Sequence, residues 1–217
     1  MATVESNNLP LSTNLFVQIQ KDILAGKIKS GDKLSEQSIC KKYGVSRTPV
    51  REALRQLEID GLIENIPNRG AFVIGLNNRD ISDLFDLRTI FEKQAVEWAI
   101  ERMDETEIDK LRENVEFMEF YTLKGDVDKV MFFNSLFHEI IYKGTKNRML
   151  FQTLSSYQTY LKHSAPPKAF DDEHLKKILD EHKKIFKAFE DNNPAAGKKA
   201  MQYHMEQTKI RRMSKYF

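Results

Sequence analysis

The sequence predicts a mainly α-helical protein in two parts: a small helical unit closed by a β-hairpin, then a larger all-helical bundle. Three observations predict this. Helix-start and helix-stop residues recur at short intervals up to residue 61, and two β-prone runs flank "PNRG". Beyond residue 76 the apolar residues follow helical spacing with no strand signal. A chain of 217 residues is long enough to bury two separate cores.

Residues 1–10 read as a polar, disordered tail. Leu11 to Ala25 reads as an amphipathic helix, with Leu15, Val17, Ile19, Ile23 and Leu24 as its apolar positions. Gly31-Asp32 turns the chain, and Ser35 is placed to cap a second helix, Glu36 to Tyr43. Gly44 can end that helix in a left-handed conformation. Ser46 offers the next N-cap, and Pro49 fits a first turn whose amides lack helical partners. The third helix runs to about Asp60 with Gly61 as its stop, and Val50, Ala53, Leu54 and Leu57 share its inner face. Two short helices on a tight glycine turn make a helix-turn-helix. Strands over Leu62–Ile66 and Ala71–Ile74 add a hairpin, so residues 11–75 are expected to form a winged helix-turn-helix. The turn-rich "GLNNRD" sets a boundary near Leu76. The bundle, residues 78–217, is expected to hold helices over 79–103, 106–123, 126–143, 147–163, 171–191 and 195–215. Gly125, Gly144, "APP" (165–167) and "NNP" (192–194) punctuate them.

Composition excludes less than pattern does. Net charge is +2, and the first part carries ten Lys/Arg against eight Asp/Glu, so charge alone indicts no nucleic acid. The single cysteine, Cys40, excludes an internal disulfide framework and suits a reducing compartment. No stretch reads as a signal peptide or as a membrane span, so a cytoplasmic protein with no membrane partner is expected.

The chemistry starts in "YGVSRTPVREAL", residues 43–54. Arg47, Arg51 and Arg55 recur every four residues beside the apolar face, and Thr48 lies further round. A helix N-terminus attracts phosphate, and an arginine fork can pair with phosphate or guanine. The competing reading is a solvated face with Glu52 and Glu58 as local partners. A nucleotide-binding enzyme is disfavoured, because no glycine-rich loop follows a strand. Arg69, at the hairpin tip with Asn68 and Gly70, could reach an adjacent groove or backbone.

The segment "LSEQSICKKYGVSRTPVREALRQLEIDGLIENIPNRGAFV" resembles the DNA-binding domain of GntR-family transcription regulators, over residues 11–74. The resemblance implies that Arg47, Thr48 and Arg51 contact operator DNA and that Gly70 lies in a wing turn entering the minor groove. Ser46, Asn68 and Arg69 adjoin these positions and join the expected DNA-binding set. Gln37 stands where relatives carry an arginine, which alters a phosphate or base contact.

In the bundle several polar residues fall on apolar stripes. Asn134 and His138 lie among Val127, Val130, Met131, Phe137 and Ile141; His182 lies among Leu175, Ile178, Leu179, Ile185, Phe186 and Phe189. His204 follows Ala200 and Met201, and Arg88 falls within Ile81, Leu84, Phe85, Phe91 and Ala95. Helical periodicity turns all five inward. Three imidazoles and an oxygen ligand suit a divalent metal, Zn²⁺ first, with Ni²⁺ or Mn²⁺ as alternatives. His163 and His174 read as surface residues. No inward carboxylate stands out as a general base. The pattern resembles the FCD domain, the effector-binding half of FadR-type GntR regulators, in its shorter VanR-like, six-helix, metal-containing form. That resemblance implies Asn134, His138, His182 and His204 as metal ligands and Arg88 near the effector pocket. Asn134 replaces an aspartate of many relatives and leaves the site more positive.

The expected function is a repressor that binds a palindromic operator as a homodimer and responds to a small organic acid held at the metal and Arg88. Two alternatives stay open: a bundle that only dimerises, with structural histidines, and a metal-dependent hydrolase.

Overall fold

The computed structural model describes residues 10–164 and 172–213. In chain order it contains α1 (Leu11–Leu24), β1 (Lys33–Leu34), α2 (Glu36–Tyr43), α3 (Arg47–Ile59), β2 (Ile63–Ile66) and β3 (Gly70–Val73). Then follow α4 (Asn78–Arg102), α5 (Glu105–Leu123), α6 (Val127–Gly144), α7 (Arg148–His163), α8 (Asp172–Glu190) and α9 (Pro194–Met213). The expected tail over 1–9, the "APP" break and the outer ends of the last two expected helices, residues 171 and 214–215, lie outside the described residues. Two compact units emerge, residues 10–77 with 160–164 and residues 78–159 with 172–213.

In the first unit the capping chemistry sets the helix ends. Ser35 Oγ accepts from the Ser38 amide at 3.1 Å, and Gly44 closes α2 with φ 67° and ψ 33°, a conformation glycine adopts without steric cost. Ser46 occupies the N-cap position of α3, yet its hydroxyl makes no capping hydrogen bond. Val50, Ala53, Leu54 and Leu57 of α3 are buried with Leu15, Ile19 and Ile23 of α1 and with Leu62, Ile63, Ala71 and Val73 of the sheet. Val17 departs from expectation: it is 47 % exposed, because two residues along a helix point to nearly opposite sides.

The sheet has a third strand that sequence periodicity did not reveal. β1 is only two residues long and pairs antiparallel with β3, Lys33 opposite Phe72 and Leu34 opposite Ala71. The order β1-β3-β2 makes β3 the centre of the wing. Two residues cannot display a period of two, so no pattern marks such a strand.

The second unit is all helical among its described residues. α4 packs on α6 and α9, α5 on α6 and α8, and α8 on α9. The α4–α9 approach is close because of Gly197: a Cβ there would stand 2.6 Å from Val96 Cγ1 and 2.7 Å from Ile100 Cδ1. Gly197→Ala gains about 1 kcal/mol in helix propensity but adds overpacking of about 1–3 kcal/mol against a stiff, β-branched neighbour. The net expectation is a melting temperature lowered by a few degrees in a thermal melt.

Candidate functional site

Two sets of functional side chains are positioned by these units. In the first, α3 packs its apolar face inward and thereby turns its other face to solvent. Arg47, Thr48 and Arg51 are exposed there, as are Gln37 on α2 and Ser46 ahead of α3. At the wing turn, Asn68 (φ 62°) and Gly70 (φ 97°) take left-handed backbone, and Asn68, Arg69 and Gly70 are exposed. The guanidinium of Arg69 and the ammonium of Lys33 both lie over the Phe72 ring, at 5.6 and 5.9 Å from its centroid. Arg51 pairs with neither Glu52 nor Glu58. Its Nε donates to Glu36 Oε1 at 2.7 Å, tying α3 to the first turn of α2. That hydrogen bond from Arg51 lowers the Glu36 pKa, and the carboxylate in turn raises that of Arg51.

In the second unit the bundle brings together His138 of α6, His182 of α8 and His204 of α9, each nearly or wholly buried. Their ligand atoms all lie within 4.8 Å of one another. The rings are anchored from behind through Nδ1. His138 Nδ1 faces Glu92 Oε2 at 3.2 Å, His204 Nδ1 faces Glu181 Oε2 at 2.8 Å, and His182 Nδ1 faces the Ile178 carbonyl at 2.7 Å. The Nε2 atoms of His138 and His204 stand 3.3 Å apart, and the buried Nε2 of His182 has no hydrogen-bond partner.

Each carboxylate is itself held by an arginine. Glu181 takes a two-pronged pair from Arg211, at 2.6 and 2.7 Å. Glu92 accepts from Arg88 Nε at 2.9 Å and from the Tyr142 hydroxyl, which accepts from Arg88 Nη2 at 3.2 Å. Burial alone would raise both carboxyls, but the facing cations and donors outweigh it and hold both below their ordinary values. Burial pushes His204 down to about 4 and holds His182 well below its ordinary value.

This donor set fits a divalent metal. Both Nδ1 atoms of the His138–His204 pair meet carboxylates that accept only, so no proton is left to bridge their Nε2 atoms unless a buried imidazolium forms. A cation between them removes that conflict. Two nitrogens each about 2.0–2.1 Å from a tetrahedral ion stand about 3.4 Å apart, close to the spacing observed. Asn134 sits one turn before His138 on α6 and is half-buried.

Some expectations need correction. Arg88 does turn inward, but Glu92 and Tyr142 take up its guanidinium, so its charge is not free for a ligand. The bundle also contains two inward carboxylates that sequence reasoning missed. Glu92 could have been found, since it follows Arg88 by four residues on the same stripe; it is fully buried where Phe91 was expected and is only half-buried. Glu181 carries no such mark. Neither carboxylate faces the Nε2 atoms, so neither is placed as a base for a metal-bound water. His163 and His174 are half-buried and stand apart from the three-histidine cluster. No helix among the described residues is long and apolar enough to cross a membrane.

Comparison with known proteins matches residues 11–73 to the family described as bacterial regulatory proteins, gntR family, and residues 83–207 to the FCD domain. The uncharacterized HTH-type transcriptional regulator YdhC of Bacillus subtilis is 30 % identical, over 90 % of this chain and 88 % of its own length. The gluconate operon transcriptional repressor of Bacillus licheniformis is 28 % identical, over 79 % of this chain and 72 % of its own. Among solved structures, McbR/YncC of E. coli superposes with a TM-score of 0.73 at 20 % identity, over 96 % of this chain and 100 % of its own. That last likeness speaks to the fold alone.

Proposed function

Because the chain belongs to the GntR family of bacterial transcriptional regulators, with an FCD domain behind its helix-turn-helix, we propose that it is a metal-containing, ligand-responsive repressor. It binds a palindromic operator as a homodimer, and a small organic acid releases it. Each protomer lays the N-terminal half of α3 in a major groove, with Arg47, Thr48 and Arg51 toward the bases and phosphates and Gln37 and Ser46 beside them. Asn68, Arg69 and Gly70 carry the wing against the neighbouring backbone. Two-fold symmetry then sets the half-sites about one helical turn apart.

His138, His182 and His204 would hold the ion, with Asn134 as an oxygen donor. The observation that carries this reading is the 3.3 Å Nε2–Nε2 contact between two imidazoles whose Nδ1 atoms both face carboxylates. Zinc suits the nitrogen-rich set and the tetrahedral spacing, and it would supply a Lewis-acidic position for an oxygen ligand. Since Arg88 and Arg211 are neutralised by Glu92 and Glu181, and Asn134 brings no charge, the protein ligands do not offset a divalent ion. An anionic effector does. Arg88 serves it at one remove, by holding Glu92 against His138.

The test measures operator affinity of the metal-loaded protein by fluorescence anisotropy against a panel of organic and sugar acids. Gluconate comes first in the panel, because relatives are named for the gluconate operon. The expected result is a loss of operator affinity with a carboxylate but not with the matching neutral alcohol. Release by a neutral compound, with no acid effective, would refute the anionic effector.

A further inference from the structure

We infer that Glu92 and Glu181 are positioning residues that fix the tautomer of the histidine cluster. Together with the Ile178 carbonyl they hold the proton of His138, His204 and His182 on Nδ1, so that all three Nε2 lone pairs point at one centre.

The geometry is specific on each arm. A carboxylate can only accept, so His204 Nδ1 at 2.8 Å from Glu181 must donate, and His138 Nδ1 at 3.2 Å from Glu92 must do the same. A backbone carbonyl imposes the same proton on His182 Nδ1 at 2.7 Å. Three different acceptors, from α4 and α8, thus select one tautomer on three different helices. The carboxylates are not free to turn away. Arg211 grips both oxygens of Glu181, and Arg88 with Tyr142 grips Glu92. A buried acid–arginine pair is a costly way to add stability, because desolvation offsets its Coulomb energy. Its return here is orientation: an acceptor behind each imidazole raises the basicity of the opposite nitrogen and holds the ring in place. Glu92 and Glu181 therefore act through the histidines and do not themselves reach the centre.

The tautomer claim stands on the protein alone; its consequence for metal affinity rests on the metal reading. The first measurement is long-range ¹H–¹⁵N NMR of the metal-free full chain at pH 8. Rings protonated on Nδ1 are expected for His138, His182 and His204, and an Nε2-bound proton on any of them overturns the inference. The second measurement titrates Zn²⁺ against a chromophoric chelator for wild type and Glu181→Gln, chosen because Arg211 can still reach solvent. One equivalent is expected in both, with affinity about 10- to 100-fold lower in the variant. The visible spectrum of the Co²⁺-loaded variant should shift, which a purely structural role for Glu181 would not cause. Wild type that loads metal while Glu181→Gln loads it equally well overturns the positioning role and leaves the metal reading intact. Wild type that loads no metal overturns the metal reading, and the tautomers then decide the inference. If Glu181→Gln does not fold, the wild-type tautomers decide it equally.

Discussion

Alanine at His204 is expected to abolish the stabilisation that zinc confers on the wild-type protein. A ligand present at about 1,000 times its Kd adds about 4 kcal/mol to the folded state, which is on the order of 10 °C in melting temperature for a unit of this size. His204→Ala leaves two imidazoles, and the zinc-dependent rise should disappear in a thermal melt. The melt in excess chelator separates this from a structural role. There, Arg211 still neutralises Glu181 in the variant, so the metal-free melting temperature should fall by much less than the lost zinc effect. If the two melts fall equally, the histidines serve packing alone and the bundle has no metal function. Acidification provides the complementary result. The liganding form is the neutral ring, and burial, reinforced by neighbouring His138, pushes His204 down to about 4 despite Glu181. Proton competition at His204 therefore sets in only as the pH falls toward 4, well below the usual imidazole range near 6.5. A pH series of ¹⁵N NMR spectra should find the His204 ring still neutral at pH 5.5, where an ordinary exposed histidine is mostly protonated.

Arg47→Ala should cut operator affinity by roughly 30-fold to 10⁴-fold, since an arginine reading a base contributes about 1–3 kcal/mol and the proposed dimer would use it twice. Specificity at the matching base pair should relax as well. Arg51→Ala has a different expected signature. Arg51 already has a counter-ion in Glu36, 2.7 Å away on an exposed surface, so contact with DNA must share or break that pair. Its loss should weaken operator and random DNA alike and make log K against log salt shallower by about 1 for each arginine removed. Anisotropy titrations over a salt series read both effects. If neither variant loses affinity, α3 is not the reading element.

The helices of both units and the inner face of α3 were legible because their apolar residues keep a helical period between glycine, proline and polar turn residues. Val50, Ala53, Leu54 and Leu57 follow the spacing of one helix face, and Ser35 and Gly44 bracket α2. The three histidines were legible for the same reason: polar residues on otherwise apolar stripes have few places to go but inward. Glu92 and Glu181 were harder. Acidic residues on a helix read as solvent-facing, and their burial is made tolerable by Arg88 one turn away on α4 and by the cross-helix partners Arg211, His138 and His204. Those partners lie up to 46 residues away in sequence. The Glu36–Arg51 pair was hidden similarly, since within one helix only neighbours three or four apart can be inferred to meet.

The missing side chain at Gly197 has a consequence well away from its own position. α9 lies snugly on α4 there, and His204 stands seven residues further along α9, two turns on the same side. α4 also supplies Glu92, the backstop for His138. A single hydrogen atom thus acts as a shim between the helix that carries one imidazole and the helix that aims another. Thickening it by one methyl group would shift the histidine cluster from some 10 Å away, so this glycine sets the spacing of the imidazoles although it offers no donor, acceptor or charge.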